Sequence, residues 1–227
     1  MNSLLKMFED PEAVAQYQDG PARFVPGLES LHRMSAILLA ERAPDNAEVL
    51  VLGAGGGMEL KAFAQAKAGW RFTGVDPAAE MLTLARKTLE PSGEQVSLVE
   101  GYAHDAPDGP FDAAACLLTL HFLPREERIE TAAEIHKRLK PGAPFVVAHS
   151  SFPQGSQERV VWLSRYAEFA VTSGVDSTMA ENARASVAAS LDILSPEEDE
   201  DVLRQAGFTD VTPFYAAFTW RGWVAYA

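Results

Sequence analysis

Hydrophobic and polar positions along the chain change their spacing near residue 48. Before it, residues 11–18 and 25–42 place apolar side chains at helical intervals. From Glu48 onward, short apolar runs alternate with amphipathic segments, as expected for strands that alternate with helices. The runs are EVLVLG, RFTGVD, QVSLVEG, FDAAACLLTL and APFVVAHSS. The fourth is apolar on both faces, which is typical of a central strand in a parallel sheet.

This alternation predicts an α/β fold with a doubly wound, mostly parallel, seven-stranded sheet. Residues 152–194 interrupt the rhythm with helical patterns and no strand between them. Ser195-Pro196-Glu197-Glu198 is a favourable helix start, and two closing strands are near enough to form a hairpin. We predict a single domain with these parts: a helical cap over 1–47, the α/β core over 48–151, a helical insertion over the active site at 152–194, and a last helix and β-hairpin at 195–227.

Composition and charge limit the possible partners. The 227 residues carry a net charge of −13 and no Lys/Arg cluster, so nucleic-acid phosphates are poor ligands. The single Cys116 excludes an internal disulfide, and no histidine pair has the spacing of a zinc-binding helix. No apolar run approaches the ~20 residues of a membrane span, and Lys6, Glu9 and Asp10 interrupt any signal peptide. We expect a cytoplasmic protein that binds no metal, nucleic acid or membrane.

The segment VLVLGAGGGMEL, residues 49–60, is a strand that enters a glycine turn before a helix. Such a turn presents backbone N–H groups and a positive helix end to a ligand. A phosphate-binding loop would need a Gly-Lys-Ser/Thr ending, which is absent here. A dinucleotide-binding turn, G-x-G-x-x-G, fits Gly53 and Gly55 but meets Met58 at its last position. The turn for S-adenosylmethionine (SAM), G-x-G-x-G, fits Gly53, Gly55 and Gly57.

Asp76 and the last third of the chain bear on the choice between a dinucleotide and SAM. Asp76 ends the second strand, 76 − 53 = 23 residues after the first glycine, where a carboxylate accepts hydrogen bonds from ribose hydroxyls. Asp76 therefore indicates a nucleoside but suits both cofactors. A dinucleotide fold usually continues with a second set of parallel strands. This chain instead closes with the apparent hairpin, which favours SAM.

These features resemble the class I SAM-dependent methyltransferases, and the resemblance covers most of the chain. The matching segments are VLVLGAGGG, FTGVDPAAEMLTLAR, SLVEGYAHDAP, FDAAACLLTLHFL, IHKRLKPGAPFVVAH and LRQAGFTDVT. The resemblance implies a Rossmann-like fold, SAM as cofactor and S-adenosylhomocysteine (SAH) as product. VPGLESL and LTLHFLPREER resemble the branch that contains the bacterial carboxy-SAM synthase, which makes carboxy-SAM from SAM and prephenate.

Several positions depart from that branch. Its cofactor-binding tyrosine after VPG is Leu28 here, and its asparagine in the fourth strand is Leu117. Its arginine for the extra carboxylate would fall near Arg184. Two departures concern the whole superfamily, because the acid two residues before the first glycine is Val51 and the acid beside the adenine is Tyr102. The departures from the branch favour an ordinary methyltransferase over the synthase, and Val51 is the reason to consider a SAM-binding protein without turnover.

The resemblance implies a cofactor site with distinct parts. The glycine turn would contact the methionine moiety, Asp76 the ribose, and Met81, Tyr102 and Ala103 the adenine. Arg23 would pair with the cofactor carboxylate or would be a solvated arginine. The predicted cofactor-binding residues are Arg23, Gly53, Ala54, Gly55, Gly57, Asp76, Pro77, Met81, Tyr102, Ala103 and Leu117.

One histidine is a candidate for the chemistry. His121 follows the fourth strand, where ligands bind in such sheets, so it would orient substrate or act as general base, or it would be a packed histidine. Methyl transfer from a sulfonium is an in-line displacement that depends mainly on positioning and desolvation. We predict transfer to a small-molecule acceptor. Two other functions stay open, a carboxy-SAM synthase-like enzyme and a SAM- or SAH-binding protein without turnover. A homodimer is a possible assembly in each case.

Overall fold

The fold is built around one sheet at the centre of the described residues. A computed structural model describes residues 8–15, 17 and 20–227. Its strands are β1 Glu48–Leu52, β2 Arg71–Asp76, β3 Val96–Glu100, β4 Ala113–Leu117, β5 Pro144–Ser150, β6 Thr209–Ala217 and β7 Trp220–Tyr226. Its helices are α1 Pro11–Ala15, α2 Gly20–Phe24, α3 Leu28–Ala40, α4 Met58–Ala66, α5 Ala79–Leu89, α6 Arg125–Lys137, α7 Ser156–Thr172, α8 Ser177–Ser190 and α9 Pro196–Gln205.

The strand order is β3-β2-β1-β4-β5-β7-β6. The first five strands of this order pair in parallel, and β7 pairs antiparallel with both β5 and β6. The predicted doubly wound sheet and the C-terminal hairpin are therefore confirmed. Chain order reverses between β1 and β4, and ligands of such sheets bind at the carboxyl ends of the strands beside this reversal.

Element boundaries differ from the predicted patterns at ligand-facing ends. The helix after the glycine turn begins only at Met58, because the backbone of Gly57 is left-handed. The fourth strand ends at Leu117, although the apolar run continues to Leu120, because Leu118 has a positive φ of 57°. The predicted helix over residues 11–18 is seen as α1, and its remaining positions, apart from residue 17, lie outside the described residues.

The inserted segment forms two helices that pack on each other and on the N-terminal helices. Tyr166 of α7 stacks on Phe24 of α2, with ring centroids 5.4 Å apart. Phe152 and Leu163 pack with Phe122, which follows β4. The segment therefore contacts the carboxyl side of the sheet, and its function as a lid stays a prediction, as do the domain boundaries. None of the described helices is both long and apolar enough to span a membrane.

Helix α9 begins as predicted, but its acidic segment is not wholly solvated. Ser195 Oγ accepts from the backbone of Glu198, and the Glu198 carboxylate accepts from the Ser195 N–H. Acids in a first helical turn are ordinarily solvated, but Asp199 in the run Glu197–Asp201 is 1% exposed. The helical period turns Asp199 inward with Val202 and towards an arginine of α6.

Candidate cofactor site

A cavity of about 690 Å³ opens at the carboxyl ends of β1, β2 and β4. Its size is that of a small-molecule or cofactor pocket, roughly 300–1,000 Å³. The strand ends and the turns that follow them form its wall. The lining includes Leu52, Gly53, Gly55, Gly56, Met58, Glu59, Asp76, Pro77, Ala78, Met81, Gly101, Tyr102, Ala103, Leu117, Leu118 and Thr119.

The glycine turn has a backbone that other residues would strain. Gly53, Gly55 and Gly57 have φ values of 72°, 44° and 79°. A Cβ atom on Gly53 would lie 1.9 Å from the hydroxyl oxygen of Thr119, so glycine is required there for steric reasons as well. The chain can therefore pass close to a bound ligand between β1 and α4.

Asp76 holds the glycine turn in place. Its Oδ2 accepts from the Gly55 N–H at 2.9 Å, and its Oδ1 accepts from the Ala78 N–H at 2.9 Å. Burial raises the pKa of Asp76, and these two hydrogen bonds oppose the rise. Each carboxylate oxygen keeps a lone pair, so the group can also accept hydrogen bonds from a ribose.

The predicted adenine side of the cavity lies after β3. Tyr102 is 53% exposed at the cavity edge, and its ring stacks on His104 with centroids 6.0 Å apart. The backbone N–H of Tyr102 donates to Asp105 at 2.8 Å, so the nearby acid stabilises the turn. Met81 and Ala103 complete an apolar wall that suits an aromatic base.

Three residues of the wall whose pKa values are shifted mainly by burial were not predicted from the sequence. Glu59 is 7% exposed, and burial, with a contribution from Asp76, raises its pKa to about 8. His32 of α3 is buried, which lowers its pKa to about 4. Burial, with Glu59 and Asp76 nearby, raises the pKa of Tyr17. His32 could have been found from the sequence, because it is a polar residue on the apolar face of the predicted helix α3.

Leu117 and the two residues after it form the floor of the cavity on the β4 side. Leu118 adopts left-handed backbone geometry, and its N–H donates to the carbonyl of Ala148 in β5. Strain of this kind in a non-glycine residue is concentrated at functional sites. The Thr119 hydroxyl donates to the carbonyl of Leu117 at 3.0 Å, which fixes its side chain against Gly53.

Four predicted site residues are not among those that line the cavity. Arg23 is exposed on α2, and Ala54 and Gly57 belong to the turn without facing the cavity. His121 is 5% exposed and packs between Phe122 and Trp220, with centroids 4.3 and 5.5 Å away. Its position corresponds to the packed histidine, and a catalytic role for it gains no support from the structure.

The charge of the wall is one-sided. Its described lining contains six carboxylates and neither lysine nor arginine. The carboxylates belong to Glu9, Glu59, Asp76, Glu127, Glu130 and Glu134. Arg184 lies elsewhere, on α8, where its guanidinium pairs with Glu181. Among the described residues, no group of three or more His, Cys, Asp or Glu could hold a metal ion.

Comparisons with known proteins agree with this geometry. A family model described as a methyltransferase domain matches residues 49–142. An O-methyltransferase family protein from Burkholderia thailandensis has a similar structure, with a TM-score of 0.71 at 15% identity over 99% of this chain and 62% of that one. Human N-acetylserotonin methyltransferase in complex with SAM gives a TM-score of 0.65 at 15% identity, over 98% and 58%. The chain thus spans about three fifths of these two proteins.

The matched segment is a methyltransferase domain, and the fold is the one seen in SAM-dependent methyltransferases, an enzyme class whose cofactor is SAM. Among curated proteins, the chain is similar to carboxy-SAM synthases. The synthase of Chromohalobacter salexigens is 26% identical over 225 residues, which cover 96% of this chain and 82% of that protein.

Proposed function

We propose that this protein transfers a methyl group from SAM to a neutral or cationic small-molecule acceptor. The observation that carries the proposal is the cavity wall, which joins the glycine turn and Asp76 to an excess of carboxylates. SAM has a net positive charge at neutral pH, so a wall of carboxylates attracts it and repels anionic acceptors. The net negative charge of the whole chain would not by itself select a cationic ligand. The placement of acidic side chains around one cavity does favour such a ligand.

The residues have separable roles under this proposal. The backbone of Gly53–Gly57 approaches the cofactor, Asp76 accepts from the ribose, and Tyr102 and Met81 enclose the adenine. Catalysis then consists of holding the acceptor in line with the sulfonium and excluding water. His32 is the buried histidine of the described wall, and we assign it, rather than His121, to contact the acceptor as a neutral imidazole.

A carboxy-SAM synthase activity is the second candidate, and the resemblance to enzymes of that name is what favours it. That reaction needs prephenate, which carries two carboxylates, and its product has an extra carboxylate beside the sulfonium. The described cavity wall offers no lysine or arginine to either group. The wall therefore supports methyl transfer over the synthase reaction.

Titration calorimetry with SAM and SAH, followed by mass spectrometry of the nucleoside that co-purifies, tests these proposals. We expect both ligands to bind, and SAM or SAH to be recovered from the protein. A mass that includes an additional carboxylate would indicate the synthase instead. Binding without methyl transfer to any acceptor in a panel of amines, phenols and thiols would leave a SAM-binding protein without turnover.

We further propose that the enzyme acts in the cytoplasm. It would be either a monomer or a homodimer. The unpaired, buried Cys116 supports a reducing compartment. Sedimentation velocity of the purified chain distinguishes the two states of assembly.

A further inference from the structure

Glu59 is a buried carboxylate that has no cationic partner among the described residues. It lies in the first turn of α4, is 7% exposed and lines the cavity. Other acids of the same wall do have partners. Glu134, for example, pairs with Arg138 at 2.6 Å. Burial without a counter-charge favours the protonated form of a carboxyl group, and a positive charge from a ligand would stabilise its ionised form instead.

The groups around Glu59 supply no such charge. Its titratable neighbours are Asp76 of β2, Cys116 of β4 and Tyr17. Each of these groups is either neutral or negatively charged. His32 of α3 faces the same cavity and is neutral at pH 7, because burial lowers its pKa to about 4. A positive charge that pairs with ionised Glu59 would therefore have to come from a ligand.

Strand order tells which part of a ligand meets Glu59. The sheet runs β3-β2-β1; Tyr102 follows β3, Asp76 ends β2, and Glu59 lies in the first turn of the helix after β1. A ligand laid across the strand ends would place its base at Tyr102 and its ribose at Asp76. The amino-acid end of SAM would then lie beyond Asp76, on the side of Glu59.

We infer that Glu59 binds the α-ammonium group of the methionine moiety of SAM. This inference rests on the proposed function and identifies the residue that recognises the amino-acid end of the cofactor. Glu59 lies in the first turn of α4, shortly after Gly57, and this position brings its carboxyl group to the cavity. The neighbouring strand β1 is buried and apolar.

This contact couples cofactor binding to a proton. Burial raises the pKa of Glu59 to about 8, so its carboxyl group is mostly protonated at pH 7 in the empty site. A bound ammonium favours the charged form and lowers that pKa, so binding releases a proton at pH values between the pKa of the complex and about 8. Affinity for SAH should therefore rise with pH over this interval, as long as the ligand keeps its ammonium group protonated.

The test is calorimetry of SAM, SAH and 5′-methylthioadenosine with the wild type, Glu59→Gln and the control Glu126→Gln. Methylthioadenosine keeps the nucleoside and sulfur but lacks the amino acid, and Glu126 is an exposed acid of α6 outside the cavity lining. In Glu59→Gln we expect SAM and SAH to weaken by a similar factor of about 10 to 100, as for loss of a charged hydrogen bond. Methylthioadenosine and the control should bind as in the wild type.

Other outcomes overturn the inference. Equal weakening of methylthioadenosine would show a general effect on the site, and selective weakening of SAM over SAH would place Glu59 at the sulfonium. A wild type that binds SAH with the same affinity at pH 6 and pH 8, and with no buffer-dependent heat, would contradict it without any variant. If the wild type binds neither SAM nor SAH, the proposed function itself fails first.

Discussion

Arg128 and Asp199 form an ion pair that is almost fully buried, with Arg128 Nη1 2.8 Å from Asp199 Oδ1 and side chains 0% and 1% exposed. The same carboxylate oxygen lies 3.0 Å from Nε2 of His149 in β5. The guanidinium also donates to the carbonyls of Leu123 and Asp192. One side chain of α6 thereby connects α9, the end of the inserted segment and the loop behind the cavity.

Removal of one partner should strongly destabilise the fold. We expect Asp199→Ala to lower the free energy of unfolding by about 3–5 kcal/mol, because it leaves the Arg128 charge buried and unpaired. Urea denaturation at pH 7 measures this. The exposed pair Glu181–Arg184 provides the control, since Glu181→Ala should leave the unfolding midpoint essentially unchanged. A loss in Asp199→Ala no larger than in this control would refute the prediction.

The same pair should make stability depend on acid. Burial by itself would raise the pKa of Asp199, but His149 and Arg128 hold it below its usual range. A depressed folded-state pKa stabilises the protein above the unfolded pKa of about 3.9, and this is lost as pH falls through the folded value. The gap in unfolding free energy between wild type and Asp199→Asn should therefore narrow from pH 5 to pH 2. A gap that does not change with pH would argue against the ion pair.

The glycine turn should not tolerate a methyl group at its first glycine. We expect Gly53→Ala to cost roughly 1–3 kcal/mol of stability from its left-handed backbone. It should also abolish SAH binding, because the new Cβ would collide with Thr119. Gly93→Ala is the matched control, as nothing lies within 4 Å of a Cβ there. Thermal unfolding and calorimetry measure both effects, and wild-type affinity in Gly53→Ala would contradict the prediction.

Asp76 should contribute to both the loop and the ribose contact. We expect Asp76→Asn to weaken the affinity for SAH by about 10- to 100-fold. An amide NH2 group would replace the oxygen that accepts from the Gly55 or Ala78 N–H, and the charged acceptor for the ribose would be lost. The 2′,3′-dideoxy analogue of SAH separates the two roles by calorimetry. It should bind the wild type less tightly than SAH does, and this preference should shrink in Asp76→Asn. A preference that persists undiminished would assign Asp76 to the loop alone.

Local sequence was sufficient to predict the sheet, the glycine turn and Asp76. Each depends on a short pattern, namely alternating apolar runs, glycines after a strand and an acid at a strand end. The final hairpin also followed from local apolar runs, and at the level of sequence it is what distinguishes SAM from a dinucleotide.

Glu59 and Asp199 were not predicted because acids in a first helical turn are ordinary solvated residues that favour the helix dipole. Whether such an acid is buried depends on distant partners. Arg128 lies 71 residues before Asp199, and the neighbours of Glu59 come from β2 and β4. For His121 the sequence left a site residue and a packed histidine both open for the converse reason, since Trp220, which packs against it, is far along the chain.

The acidic wall of the cavity also affects what happens after the reaction. In the proposed reaction, methyl transfer removes the positive charge from the sulfur, so the cofactor becomes neutral overall while the acidic side chains of the wall remain. The electrostatic attraction that draws SAM in is thereby weakened for SAH by the chemistry itself. The cavity thus favours exchange of spent for fresh cofactor, and inhibition by accumulated product should be mild.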